Sequence, residues 1–176
     1  MAVKNVVQAG NEILRNKSSL VDLNQLPDIQ SLIDDMIETM EAAKLVGLAA
    51  PQIGENLRIF VAKDVRSRDE KNKPDVNILT FINPEIVSAS KETVVDYEGC
   101  GSVANGNFFG QVKRSSEVIA MALDREGKKF EIPSGGLLAR IILHENDHIE
   151  GILFTDKIED WEKIMSREEY LKMREG

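Results

Sequence analysis

Residues 134–151 read SGGLLARIILHENDHIEG, a mostly apolar helical run that carries the only two histidines of the chain, four positions apart. Ser134 is placed to cap its N-terminus. What precedes this late helix decides the fold class. Residues 28–44, DIQSLIDDMIETMEAAK, form an amphipathic helix in which Ile29, Leu32, Ile33, Met36, Ile37 and Met40 recur at three- and four-residue steps. Pro27 and two early aspartates suit its start. Strand-like segments fill the interval at 57–63, 77–88, 92–100, 115–124 and 128–134, the last two joined as a hairpin through Arg125, Glu126 and Gly127. Pro84 marks the second of these strands as an edge strand or a bent one. Residues 47–56, GLAAPQIGEN, read as a loop, as do the charged residues 64–75, and a further helix runs over about 161–174. Helix, antiparallel strands and a late helix predict an α+β fold with sheets around a central histidine-bearing helix, not a βαβ alternation.

The bulk numbers narrow the function classes. The 176 residues suit one domain spanning the whole chain, able to bury a core without staples. A formal net charge of −8 argues against a general nucleic-acid binder, because phosphate neutralisation needs a basic face. No segment approaches the roughly 18 uninterrupted apolar residues of a membrane span. The N-terminal residues lack the apolar core of a secretory signal, and the one cysteine cannot close an intramolecular disulfide. A cytoplasmic protein is the expectation.

The chemistry lies in His-Glu-x-x-His. His144 and His148 fall one helical turn apart, so both imidazoles can reach one ion about 2.0–2.1 Å away. Glu145 then projects where it can serve as a general base. A third ligand is needed. Glu168 and Glu169 sit on a charged, solvent-facing stretch, whereas Cys100 lies between two glycines at a strand end, in YEGCGS. A thiolate there completes a Cys-His-His set with one open position, the mark of a catalytic site.

Three ordered segments, GLAAPQIG at 47–54, EGCGS at 98–102 and HENDH at 144–148, resemble the three motifs of peptide deformylases. The text around them, GLLAR before the histidines and GILFTDKI after them, is similar too, so the resemblance spans nearly the whole chain. It implies removal of the formyl group from the N-terminal formylmethionine of nascent chains, with transient ribosome contact. It implies that Cys100, His144 and His148 hold one divalent metal, typically Fe2+, with Zn2+, Ni2+ or Co2+ able to take the same donors. Glu145 would move the proton between water and leaving amine. The Gln52 amide and the Gly101 N–H would stabilise the oxyanion. Val46 and Gly47 would line the peptide cleft, Leu137 and Ile141 the methionine pocket, and Arg114 would stand near the cleft or in solvent.

Three positions depart from the family pattern. Leu45 stands where the first glycine of Gly-x-Gly-Leu-Ala-Ala is usual, Gly101 where Glu-Gly-Cys-Leu-Ser has leucine, and Leu143 where glutamine precedes the first histidine. These leave two alternatives open: a deformylase-like amide hydrolase with another acyl or peptide preference, and a metal-stabilised peptide-binding module that has lost turnover.

Overall fold

A computed structural model describes residues 2–67 and 77–175. Most of the charged 64–75 segment therefore lies outside the described residues. A long helix, α1 (Gln30–Ala42), leads into a short strand β1 (Gly47–Ala49). Strands β2 (Ile59–Lys63), β3 (Ile78–Ala89), β4 (Thr93–Gly99), β5 (Phe108–Ser115), β6 (Glu117–Leu123) and β7 (Lys129–Gly135) follow. The histidine-bearing helix α2 (Gly136–Ile149), strand β8 (Met165–Ser166) and helix α3 (Arg167–Glu175) complete the order. All pairings between strands are antiparallel, in a five-stranded sheet β1-β2-β3-β6-β7 and a three-stranded sheet β4-β5-β8. The α+β expectation holds.

Strand alternation sends consecutive residues to opposite faces of the larger sheet. Phe60, Ala62 and Phe81 pack with Leu138, Ala139, Ile141 and Ile142 of α2. Their neighbours Ile59, Val61 and Ile82 pack with Ile33, Met36 and Met40 of α1. Each fully buried aliphatic or aromatic side chain contributes about 1.5–3 kcal/mol through burial alone. The sheet is thus clamped between two helices, and α2 is fixed along its apolar stripe while its histidine side faces the smaller sheet. Among the described residues no helix is long and apolar enough to cross a membrane.

Several expectations are corrected. Pro84 does not sit on an edge, since β3 is paired with β2 on one side and β6 on the other. The strand bends there instead: its register shifts between Ile82 and Glu85, and Asn83 adopts a left-handed φ of 49°. A residue without an N–H is tolerated because the ladder is broken at that point. Ser134 belongs to β7, and the residue capping α2 is Gly135, with no side-chain cap. The 47–56 loop contains β1 and a 3-10 turn at Ala50–Ile53. The terminal helix begins only at Arg167, because Met165 and Ser166 pair with Phe109 and Phe108 of β5.

Candidate metal centre and catalytic site

The site forms where the smaller sheet meets α2. Strand β4 ends at Gly99 and turns through Cys100–Ser102, with the Val103 N–H donating to the Cys100 carbonyl at 3.0 Å. The turn carries Cys100 Sγ to 3.2 Å from His148 Nε2. Ligand atoms of Cys100, His144 and His148 all lie within 4.8 Å of one another. The two imidazoles stand at 74° to each other, with ring centroids 5.0 Å apart.

Gln52 reaches the same point from the 3-10 turn after β1, and it is buried. Its Oε1 accepts the Ala49 N–H at 2.8 Å, which fixes which end of the amide faces the site. Nε2 therefore points to Cys100 Sγ at 3.4 Å and Ser102 Oγ at 3.3 Å. Glu145 is buried, and its Oε2 has no hydrogen-bond partner among the described residues. Burial, offset in part by the two histidines, pushes its carboxyl up to about 7. Gly47 gives it room: a Cβ at that position would stand 2.4 Å from Glu145 Oε1. Gly47→Ala is expected to displace the carboxylate and lower kcat/KM by roughly 10–100-fold while leaving metal content intact, which paired kinetics and metal analysis would check.

A buried ionic network holds the ligands from behind. Glu98, in β4, accepts from Arg114 Nε and Nη2 at 2.8 Å each, from Arg140 Nη1 at 2.7 Å and from His144 Nδ1 at 2.9 Å. Arg114 also pairs with Asp147, whose carboxylate lies 2.7 Å from Lys157 Nζ. Burial would raise the Glu98 carboxyl, but Arg114 and His144 outweigh it and hold the group far below the usual range. Arg114 is thus not in solvent. At 5% exposure it is an inward-facing residue of β5, and both its carboxylate partners offset the burial of its charge. Val46 is exposed, next to Gly47 at the site. Leu137 is exposed at the start of α2, whereas Ile141 is buried against the larger sheet. Glu98, Arg140 and Asp147 were not singled out by sequence, although Glu98 lies inside the quoted EGCGS motif.

The donor set fits a divalent cation. Two nitrogens and a sulfur converge, an unpartnered carboxylate oxygen stands beside them, and His144 Nδ1 is committed to Glu98, which leaves its Nε2 for the ion. Burial raises the Cys100 thiol, but His148 and His144 outweigh it and hold it well down. Burial lowers His144, but Cys100 and Glu98 hold it well up. Metal binding requires the thiolate and neutral imidazoles, so a cation held by these three side chains takes the place of their protons.

Residues 3–164 match the family described as polypeptide deformylase. The chain belongs to the polypeptide deformylase family. Its similarity to the peptide deformylase of Acetivibrio thermocellus is 44% identity over 158 residues, covering 90% of this chain and 85% of the relative. To that of Thermomicrobium roseum it is 42% over 160 residues, covering 91% and 88%. The crystal structure of a class I type b peptide deformylase from Acinetobacter baumannii bound to Met-Ala-Ser superposes with a TM-score of 0.80, at 34% identity, over 89% of this chain and 99% of that one. The protein is an enzyme, a metal-dependent hydrolase, with a candidate metal-binding group at Cys100, His144 and His148.

Proposed function

We propose that this deformylase acts on the N-terminal formylmethionine of nascent polypeptides and releases formate, with Cys100, His144 and His148 holding one Fe2+. The observation that carries the residue assignment is the convergence of three ligand atoms within 4.8 Å beside the unpartnered Oε2 of Glu145. Zn2+, Ni2+ and Co2+ suit the same imidazole and thiolate donors. When bound, the cation lowers the pKa of water and polarises the formyl oxygen.

The protein's own residues supply the rest. Glu145 takes a proton from the attacking water and passes it to the departing amine as the formyl C–N bond breaks. Gln52 Nε2 and the Gly101 N–H donate to the oxygen that becomes negative, and the Ala49–Gln52 hydrogen bond keeps that amide preorganised. Among the described residues strand β1 pairs with β2 alone and so ends its sheet, which leaves an edge beside Val46 and Gly47 along which an extended peptide can lie. A bound Met-Ala-Ser in the Acinetobacter structure supports a ligand of this kind. Leu137 and Ile141 wall the methionine side chain, the first exposed and the second fixed in the core. Work on emerging chains brings transient ribosome contact, and a lone cysteine used as a ligand suits the reducing cytoplasm.

Protein purified without oxygen and loaded with Fe2+ is expected to release formate from formyl-Met-Ala-Ser, and chelation is expected to abolish the release. Air should inactivate the iron form by oxidation of metal or thiolate, while nickel-loaded protein should persist. Absence of formate from protein with bound metal would overturn the proposal.

A further inference from the structure

Gly101 is a glycine that its own backbone does not require, since its φ is not among the positive ones. The reason lies in a neighbour. A Cβ built at Gly101 would stand 3.1 Å from Leu45 Cδ1, 3.5 Å from Leu45 Cδ2 and 3.6 Å from Val6 Cγ1. Two of the three positions where the chain departs from the family pattern therefore meet in space. Bulk absent at 101 is present at 45.

Leu45 is held there by the way α1 ends. Lys44 takes the left-handed conformation, with φ 55°. The Lys44 N–H donates to the Glu41 carbonyl at 3.0 Å and the Leu45 N–H to the Met40 carbonyl at 2.9 Å. This double bond pattern closes a helix with the residue after the left-handed one turned toward the last turn, where an apolar side chain is favoured. The helix end thus fixes the direction from which Leu45 covers the turn. On the other side, Gln8 Nε2 donates to the Gly101 carbonyl at 2.9 Å, and the Ala9 N–H donates to the Ser102 carbonyl at 2.7 Å. Leu45, Val6 and Gln8 together enclose a turn whose central residue has no side chain.

We propose that Leu45 is a positioning residue for Gly101, filling from the end of α1 the space a side chain at 101 would take and so holding its main-chain N–H on the reacting oxygen. The catalytic half rests on the deformylase reading. The packing half does not.

The test is a double-mutant cycle in the metal-loaded enzyme with Leu45→Ala, Gly101→Leu and both together, read by thermal unfolding and by kcat and KM on formyl-Met-Ala-Ser. Leu45→Ala is expected to lower Tm by about 3–6 °C through lost packing, and to lower kcat about tenfold with little change in KM, as loss of a transition-state donor does. Gly101→Leu alone collides with Leu45 and is expected to lower both Tm and kcat. The doubly substituted enzyme should exceed either single variant in Tm and in kcat. Additive losses in both readouts would overturn the proposal. If Gly101→Leu fails to fold, Gly101→Ala meets the same 3.1 Å contact and completes the cycle. A parent enzyme that releases no formate would sink the deformylase reading while the Tm cycle still decides the packing.

Discussion

Replacing Glu145 with glutamine is expected to lower kcat/KM for a formylated peptide by about 10²–10⁴-fold while Cys100, His144 and His148 still hold one metal ion per chain. The size follows from the position. Glu145 is 4% exposed, is not among the three convergent ligands, and presents an oxygen with no partner. A structural carboxylate buried this deeply would be paired, as Glu98 is with two arginines and a histidine. A side chain on its neighbour Gly47 would collide with the carboxylate. Glutamine keeps the shape but cannot take a proton from water, so the loss should fall on kcat with KM little changed. Metal analysis beside the kinetics separates this from a collapsed site. Retention of more than a tenth of the parent activity with metal bound would remove Glu145 from the proton path.

The parts of this enzyme legible in its sequence are those where one periodicity or one spacing dominates. Helix α1 shows its apolar stripe, the hairpin β6–β7 shows its alternation, and the two histidines show their common face. Strand β5 was not legible, and the reason is physical. Its inward residues are Gly110, Val112 and Arg114. Only one of them is apolar, so no hydrophobic alternation marks the strand. Gly110 is small because a Cβ there would meet Ile158 Cδ1 at 2.5 Å. Arg114 is charged because Glu98 and Asp147 await it. The burial of Arg114 was not legible either: a lone arginine carries no sign of the partners that bury it. Glu98 was read as motif text beside Cys100, and its grip on His144 depends on a separation of 46 residues in sequence that no local pattern reports.

Glu98 also carries the largest expected effect on stability. Glu98→Ala leaves Arg114 and Arg140, 5% and 8% exposed, without the carboxylate that both share. Breaking a buried ion pair from one side typically costs about 3–5 kcal/mol, because a charge remains buried and uncompensated. Arg114→Ala should cost less. Glu98 would keep Arg140 and His144, and Asp147 would keep Lys157. The ranking therefore separates a network centred on Glu98 from one centred on Arg114, and urea unfolding of the two variants reads it. Glu98→Ala should weaken metal binding as well, by about 10–100-fold, since His144 Nδ1 loses the acceptor that orients the ring. Competition against a chelator measures that loss. A Glu98→Ala protein as stable as its parent, or one with undiminished metal affinity, would mean that the carboxylate neither neutralises the arginines nor aims His144. The first result would bear on the fold and the second on the site, so the two measurements test separately what one side chain does for each.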